Sequence, residues 1–284
     1  MGMRRIVYVL RSIWEEDSNR GQRLRRVLLF FGWQLWKRTV GSPLNARLFN
    51  GFRIRVWRDC DSSPAAFYHS LPNSRHLALV RKCLRGGTFV DVGANVGLVT
   101  LLVADKIGHA VLFEPHPTAF RRAQQNLKMN GLSFEVVPVA LSDRTGTVEF
   151  ENSGESSCNR TVEGFSTSMP TITVERTTFD EFLRERSTPL SAIDAVKIDV
   201  EGHENSVLRG MREFLRDRRP RVVMFEYLAR TDIVQTLAIF REVGYSVFEL
   251  SDSGARLFAT ENVKPLQDLL ACPNEIANEF GIED

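Results

Sequence analysis

Short apolar runs alternate with helical stretches from residue 88 onward, and this rhythm constrains the fold more than any other feature. Strands that alternate with helices form a mostly parallel sheet covered by helices on both faces. We therefore predict an α/β fold with a doubly wound, Rossmann-like sheet. The predicted strands are Thr88–Val92, Ala110–Glu114, Phe134–Val139, Ala195–Val200, Arg221–Tyr227 and Tyr245–Leu250, and the predicted helices are Leu98–Ile107, Thr118–Asn130, His203–Arg216 and Ile233–Val243.

The N-terminal part of the chain has a different charge from the rest. Residues 1–58 carry 13 lysines and arginines against three acids, whereas residues 59–284 carry 24 against 32. The first 40 residues predict one or two helices, broken near Asp17–Gly21. Their apolar run Val27–Trp36 is too short to span a bilayer, which takes about 20 residues. It suits either a helix in a membrane interface or a helix buried against the protein itself.

Three regions follow from these patterns. Residues 1–45 form a basic, aromatic helical arm. Residues 46–87 form a small unit, with a hairpin over 48–58 around Asn50-Gly51 and a helix over 72–85. Residues 88–284 form the main domain, which contains a polar insert between Glu151 and Thr178, either a surface hairpin or a flap over the site.

Location and partners are predicted from charge and cysteine spacing. The cysteines at 60, 83, 158 and 272 have no metal-binding spacing, so we expect reduced thiols in a cytoplasmic protein. The basic charge of residues 1–40 predicts a peripheral contact, either with an anionic membrane surface on its inner face or with a partner protein, unless it is simply a solvated face.

A glycine-containing loop follows the first predicted strand of the main domain. The loop reads Gly93-x-Asn95-x-Gly97, whereas a dinucleotide fingerprint reads G-x-G-x-x-G, so the middle glycine that admits a pyrophosphate is missing. Asp91, near the end of the strand, would repel a pyrophosphate but attract an ammonium group. S-adenosylmethionine carries an ammonium and no phosphate, so this loop favours it over NAD.

An acid also ends the second strand of the main domain. Glu114 lies 23 residues after Asp91, and a carboxylate at this tip can accept hydrogen bonds from both ribose hydroxyls. Its alternative role is to cap the helix predicted from Thr118. The loop and the acid together indicate a nucleoside cofactor.

Four motifs in this order resemble the FkbM-type S-adenosylmethionine-dependent methyltransferases. They are Asp-Val-Gly-Ala-Asn-Val-Gly at 91–97, Phe-Glu-Pro-His-Pro at 113–117, Val-Ala-Leu-Ser-Asp-Arg-Thr-Gly at 139–146 and Val-Lys-Ile-Asp-Val-Glu-Gly-His-Glu at 196–204. The resemblance covers about residues 50–275 and leaves out the basic arm. It implies a seven-stranded methyltransferase sheet and O-methylation of a hydroxyl on a sugar or a natural product.

The resemblance also implies a set of cofactor contacts. Asp91 would face the methionine ammonium, directly or through water, and Glu114 would bind the ribose with Pro115 beside it. The remaining residues carried over are Gly93, Ala94, Asn95 and Gly97 for the cradle, and Ala140 and Leu141 for the edge of the adenine.

Acidic residues and a histidine follow the later strands, where the acceptor would lie. Methyl transfer to a hydroxyl is helped by a base near the oxygen. The candidates are Asp199, His203, Glu201 and Glu226, of which Asp199 and His203 are preferred. Asp199, Glu201 and Glu226 can also hold Mg²⁺, although no spacing requires a metal.

Other functions are disfavoured by particular residues. The chain has neither an Asn/Asp-Pro-Pro-Tyr/Phe run nor a Pro-Cys nucleophile, and its body is acidic, so we expect no nucleic-acid substrate. We predict O-methylation of a sugar hydroxyl in a glycan, polysaccharide or glycolipid precursor. The alternatives are a polyketide- or peptide-type natural product as acceptor, or an inactive membrane-associated assembly subunit.

Overall fold

The computed structural model describes residues 3–60, 63–68, 74–152, 159–163, 167–187, 189–251, 254–258 and 267–281. The helices are α1 (Met3–Glu15), α2 (Arg23–Thr39), α3 (Ala65–Tyr68), α4 (Ser74–Cys83), α5 (Leu98–Val103), α6 (Pro117–Met129), α7 (Phe179–Glu185), α8 (Glu204–Arg209), α9 (Arg212–Arg218) and α10 (Ile233–Glu242). Short 3₁₀ turns lie at Asp17–Asn19, Ala104–Lys106 and Asn274–Phe280.

The strands form three sheets. They are β1 (Leu44–Arg47), β2 (Arg53–Val56), β3 (Thr88–Val92), β4 (His109–Phe113), β5 (Glu135–Val137), β6 (Ala140–Leu141), β7 (Gly146–Glu151), β8 (Thr171–Thr177), β9 (Ile193–Ile198), β10 (Val222–Tyr227), β11 (Tyr245–Ser251), β12 (Gly254–Leu257) and β13 (Gln267–Pro273). The largest sheet has eight strands in the order β12-β11-β13-β10-β9-β3-β4-β5.

The predicted α/β architecture is confirmed, but the strand count is not. The central pairs β10–β9, β9–β3, β3–β4 and β4–β5 are all parallel. The resemblance implied seven strands, whereas the described sheet has eight. The difference lies at the edge, where β12 pairs antiparallel with β11 over only four residues. Such a short, half-exposed strand leaves little hydrophobic pattern in the sequence.

Two hydrophobic clusters cover opposite faces of the sheet. Successive side chains of a strand point to opposite faces, so Phe89 joins one cluster while Val90 and Val92 join the other. The Phe89 cluster includes buried residues of α4, α5 and α6 and of the β1–β2 hairpin. The other cluster includes residues of α7, α8, α9 and α10. This layering leaves the strand ends open, where a doubly wound sheet binds ligands.

Two predicted helices are shorter than expected. The helix predicted over Leu98–Ile107 ends at Val103 and continues as a 3₁₀ turn. The helix predicted over His203–Arg216 is divided into α8 and α9 at Gly210. A β-carbon built on Gly210 would lie 1.9 Å from the carbonyl oxygen of Ser142, so this close backbone approach requires glycine there.

The N-terminal arm folds as predicted, into two helices with a break over Asp17–Asn19. The hairpin is also confirmed, although its strands pair Leu44 with Val56 and so begin earlier than expected. Trp33 of α2 is buried in the same cluster as Ile54 and Val56 of the hairpin. Among the described residues, no helix is both long and apolar enough to cross a bilayer.

The insert after β7 contributes to a small three-stranded sheet, β6-β8-β7. Its strands β7 and β8 form an antiparallel pair from Gly146–Arg176 to Glu151–Thr171. Residues 153–158 and 164–166 lie outside the described part. Cys60, Cys83 and Cys272 are buried, and the fourth cysteine, Cys158, is not described.

Candidate functional site

A cavity of about 140 Å³ opens at the carboxyl ends of β3, β4 and β9. Open α/β sheets bind their ligands at this edge. Asp91, Gly97 and Glu226 are not part of its wall. The residues predicted from the sequence that do line it are Gly93, Ala94, Asn95, Glu114, Pro115, Ala140, Leu141, Asp199, Glu201 and His203.

The loop after β3 is held close to the backbone of the neighbouring strand. Gly93 has a φ of 72°, and a β-carbon there would lie 1.9 Å from the carbonyl oxygen of Asp199. Only glycine fits both requirements. Asn95 also has a positive φ, of 50°. Gly97, with a φ of 78°, precedes α5 and lies behind the cavity, against Leu112.

Glu114 is held at the tip of β4 by two backbone amides. The amide of Asn95 donates to its Oε2 at 2.8 Å, and the amide of His116 donates to its Oε1 at 2.9 Å. Each carboxylate oxygen keeps a further lone pair toward the cavity. Burial raises the pKa of Glu114 to about 7, although the two amides and Lys197 lower it. The alternative role of Glu114 as a helix cap is wrong, since the N-cap of α6 is His116, which has no side-chain cap hydrogen bond.

Lys197 is a buried cation that sequence reasoning missed. Its Nζ lies 3.4 Å from Oδ1 of Asp91 and 3.3 Å from Oδ2 of Asp199, and it donates to the carbonyl of Gly93 at 2.8 Å. Burial lowers the pKa of its ammonium, but the carboxylates of Asp199 and Asp91 outweigh burial and raise the pKa above its usual value. The signal was a lysine between the apolar residues Val196 and Ile198 of a buried strand, because a buried charge needs partners.

Asp91 has other partners than the ammonium of a ligand. Its side chain is fully buried, and the hydroxyl of Thr100 donates to Oδ2 at 2.7 Å. Its other oxygen faces Lys197. Asp91 is therefore buried between Thr100 and Lys197, and its contact with a methionine ammonium, directly or through water, stays a prediction.

Carboxylates crowd the part of the cavity next to the loop after β3, where Asp199 and Glu201 line the wall and Glu226 lies beside them outside it. Asp199, Glu201 and Glu226 each have an oxygen within 4.8 Å of the other two. Arg230 donates to Oε2 of Glu201 at 2.8 Å and to its backbone carbonyl at 2.9 Å. Glu201 has a φ of 55°, which is unusual for a residue with a side chain. Backbone strain and like charges are often concentrated at functional sites.

Burial and the like charges of these carboxylates raise the pKa values of several acids here. Burial, followed by the charges of Asp199 and Glu201, raises the pKa of Glu226 to about 8. Asp268, directly opposite Glu226 on β13, has a pKa raised to about 7 by burial and by Asp199. Burial and Asp199 also raise the pKa of Glu201. Asp268 was not predicted, because its position depends on a strand pairing that the sequence does not encode locally.

His203 also lies in the cavity wall. Its Nε2 is 3.0 Å from the hydroxyl of Ser142 and 3.9 Å from a carboxylate oxygen of Glu163. Burial lowers the pKa of His203, so the ring is neutral near pH 7. Phe150 of β7, together with Asn159 and Thr161 of the insert, also lines the cavity, and none of the three was predicted from the sequence.

Comparisons with known proteins agree with the family resemblance. Residues 91–247, more than half of the chain, match the family described as the methyltransferase FkbM domain. A curated relative, hexuronic acid methyltransferase AglP from Haloferax volcanii, is 31% identical over 131 residues, which are 44% of this chain and 50% of AglP. The chain thus spans about half the length of this relative.

Similar solved structures include two methyltransferases. One is the methyltransferase FkbM from Methylobacillus flagellatus KT, with a TM-score of 0.44 and 14% identity over 74% of this chain and 54% of that one. The other is an S-adenosylmethionine-dependent methyltransferase from Agrobacterium tumefaciens, with a TM-score of 0.47 and 12% identity over 84% of this chain and 72% of that one.

Proposed function

The chain belongs to the FkbM methyltransferase family, and we propose that it transfers a methyl group from S-adenosylmethionine to a sugar hydroxyl in a glycan or glycolipid precursor. One observation carries the proposal. A single cavity is lined by a glycine loop and an amide-held carboxylate, here called the cofactor end, and beside them by Asp199 and Glu201 of the carboxylate cluster, here called the acceptor end. The first end suits a nucleoside, and the second suits a hydroxyl that must lose a proton.

The cofactor end fits S-adenosylmethionine in its donor set. Glu114 has lone pairs left for the two ribose hydroxyls, while the Gly93–Ala94–Asn95 backbone leaves room for the methionine part. Pro115, Ala140 and Leu141 supply apolar wall for the adenine. Asp91 holds Lys197 beneath the loop. The cofactor, when bound, supplies a methyl group activated by a sulfonium.

The acceptor end has the groups that a hydroxyl needs. Asp199 lines the cavity with its side chain 45% exposed, so its carboxylate can reach a bound hydroxyl. Lys197 fixes one oxygen of that carboxylate, and the other stays free to accept the hydroxyl proton. His203 is a weaker candidate for the base, since its Nε2 already faces Ser142. Alignment and proton removal are the two contributions that the protein makes to the reaction.

A metal is not needed for this reaction. Three carboxylate oxygens within 4.8 Å suit a hard cation such as Mg²⁺ in ligand type. However, the ammonium of Lys197 already lies against Asp199 and supplies positive charge at the cluster. We therefore propose a metal-free reaction, and turnover in excess EDTA should equal turnover with added MgCl₂. Loss of turnover in EDTA that Mg²⁺ restores would contradict this.

The relative AglP acts on a hexuronic acid according to its name, but the carboxylates of this cavity would repel a sugar carboxylate. We propose that the methylated hydroxyl enters the cavity while any acidic group of the acceptor stays outside it. Neutral hexoses should therefore be accepted at least as well as hexuronic acids.

The test is transfer of a deuterated methyl group from labelled S-adenosylmethionine to a panel of acceptors. The panel contains nucleotide-linked hexoses, nucleotide-linked hexuronic acids and a polyketide alcohol, and mass spectrometry detects the label. Label on the sugars supports the proposal. Label only on the polyketide favours a natural-product acceptor, and cofactor binding without transfer to any hydroxyl favours the inactive assembly subunit.

A further inference from the structure

Helix α2 has two apolar faces, of which the protein covers only one. Phe30 and Trp33 are buried and pack against the rings of Tyr68 and Phe67. The opposite side carries the α2 stripe, four residues that are 49–74% exposed, namely Leu24, Leu28, Phe31 and Leu35. Their spacing of four, three and four residues places them on one line along the helix.

Such a stripe differs from the scattered apolar residues of an ordinary surface. Single exposed leucines are common and need no explanation, whereas a contiguous patch marks a contact surface. At the start of α2, Arg23 lies over the ring of Trp14, itself 51% exposed, at 5.3 Å from the ring centroid. An aromatic residue of α1 therefore lies close to the beginning of the stripe.

The charges of α2 indicate which kind of surface the α2 stripe contacts. The helix has five basic residues and no acid, and Arg25 and Arg38 are exposed at its two ends. Residues 1–58 together carry 13 basic residues against three acids. A helix with cationic ends and an apolar face fits the boundary between anionic headgroups and acyl chains. A second copy of the chain fits less well, because it would bring the two sets of cations together.

We propose that α2 holds the protein on a bilayer that contains anionic phospholipid, with the α2 stripe inserted among the acyl chains and the arginines at the headgroups. The inference is independent of the proposed methyl transfer. It selects the membrane over the partner protein and the solvated face, which the sequence leaves open for residues 1–40.

The full-length protein is sedimented with vesicles of phosphatidylcholine and phosphatidylglycerol, and with vesicles of phosphatidylcholine alone. We expect binding to the anionic vesicles that weakens as NaCl is raised. The double variant L28Q/L35Q keeps good helix formers and should need about tenfold more lipid for half-binding. Its matched control, V234Q/L257Q, changes two exposed apolar residues elsewhere and should bind like the parent.

Charge reversal gives an independent measurement. The variant R25E/R38E should lose binding to anionic vesicles, whereas R212E/R216E, on the exposed face of α9, should keep it. Analytical ultracentrifugation of the same proteins without lipid tests the second copy as the occupant.

Three results would overturn the proposal. The first is equal sedimentation with neutral and anionic vesicles, or none with either. The second is binding that L28Q/L35Q leaves unchanged. The third is a parent protein that does not bind vesicles but self-associates, with the self-association abolished in L28Q/L35Q.

Discussion

The two ends of the cavity hold their carboxylates in different ways. Glu114 at the cofactor end is fixed by two backbone amides, that of His116 in its own loop and that of Asn95 in the loop after β3. Asp199, Glu201 and Glu226 at the acceptor end face one another, and Lys197 and Arg230 compensate only part of their charge. The first arrangement fixes a hydrogen-bond acceptor in space, and the second keeps proton-accepting groups available.

The difference suggests that cofactor binding and proton transfer depend on different carboxylates of the cavity. A carboxylate held by two backbone amides can recognise hydroxyls without moving, because its position is already determined. A cluster of like charges raises pKa values and so provides groups that exchange protons near neutral pH. Substitutions at the two ends should therefore affect different measurements.

The largest expected effect is on turnover, from Asp199→Asn. The amide cannot accept the hydroxyl proton, so kcat should fall about 100- to 10,000-fold, the range typical of a lost general base. The dissociation constant for S-adenosylhomocysteine should change little. Asp217→Asn, an exposed change away from the cavity, is the control. Normal turnover of Asp199→Asn would remove Asp199 as the base and leave His203 or Glu226.

The next effect is on stability, from Lys197→Met. This change removes the cation between Asp91 and Asp199 and leaves the fully buried carboxylate of Asp91 with Thr100 alone. Loss of one partner of a buried ion pair costs about 3–5 kcal/mol of unfolding free energy. Urea denaturation measures it, and Lys128→Met, on the exposed face of α6, should change it by less than about 0.5 kcal/mol. Equal stability of the two variants would show that Lys197 does not hold the two ends together.

A smaller effect is expected on cofactor affinity, from Glu114→Gln. The amide side chain has one acceptor oxygen, so it loses one backbone amide and one ribose hydroxyl. S-adenosylhomocysteine should bind more weakly by about 1–3 kcal/mol, as expected for hydrogen bonds to a charged group. Isothermal titration measures this loss, and Glu175→Gln on the exposed side of β8 is the control. Unchanged affinity would refute the ribose contact.

The smallest effect is a pH dependence of the unfolding free energy, to which Glu226 at the acceptor end contributes. Glu226 has a folded pKa of about 8, above its value of 4.5 in an unfolded chain. The proton on its carboxyl therefore stabilises the fold fully below about pH 4.5, and this contribution is lost as the pH rises through 8. We expect unfolding free energy to fall by about 1 kcal/mol between pH 5.5 and 8.5, an amount reduced by partial exposure.

Glu226→Gln should reduce this slope, because its side chain carries no titrating proton. Glu185→Gln, exposed at the end of α7, should leave the slope unchanged. Urea denaturation at both pH values gives the comparison. An identical slope in Glu226→Gln and the parent would mean that Glu226 is ionised throughout the range.

The cofactor end could be read from the sequence because its geometry is local. Gly93, Asn95 and Glu114 lie at the ends of adjacent strands, and their positions follow from strand order and glycine conformations. Strand limits were likewise predicted within a few residues, since each strand begins or ends at glycine or polar residues. The break at Gly210 was missed, because the contact with Ser142 that requires it comes from a distant segment.

The acceptor end depended on contacts between elements far apart in the chain. Asp268 meets Glu226 only through the antiparallel β10–β13 pairing. Asn159 and Thr161 reach the cavity from the insert. The pairing of Asp91 with Lys197 was not predicted, because facing groups on neighbouring strands are fixed by sheet register rather than by spacing in the sequence.

A crystal structure with S-adenosylhomocysteine tests the central claim most directly. The account predicts the nucleoside over the ends of β3 and β4, with both ribose hydroxyls in hydrogen-bonding contact with Glu114 and the sulfur turned toward Asp199. Density for the ligand elsewhere, or a ribose that leaves Glu114 without a contact, would contradict it.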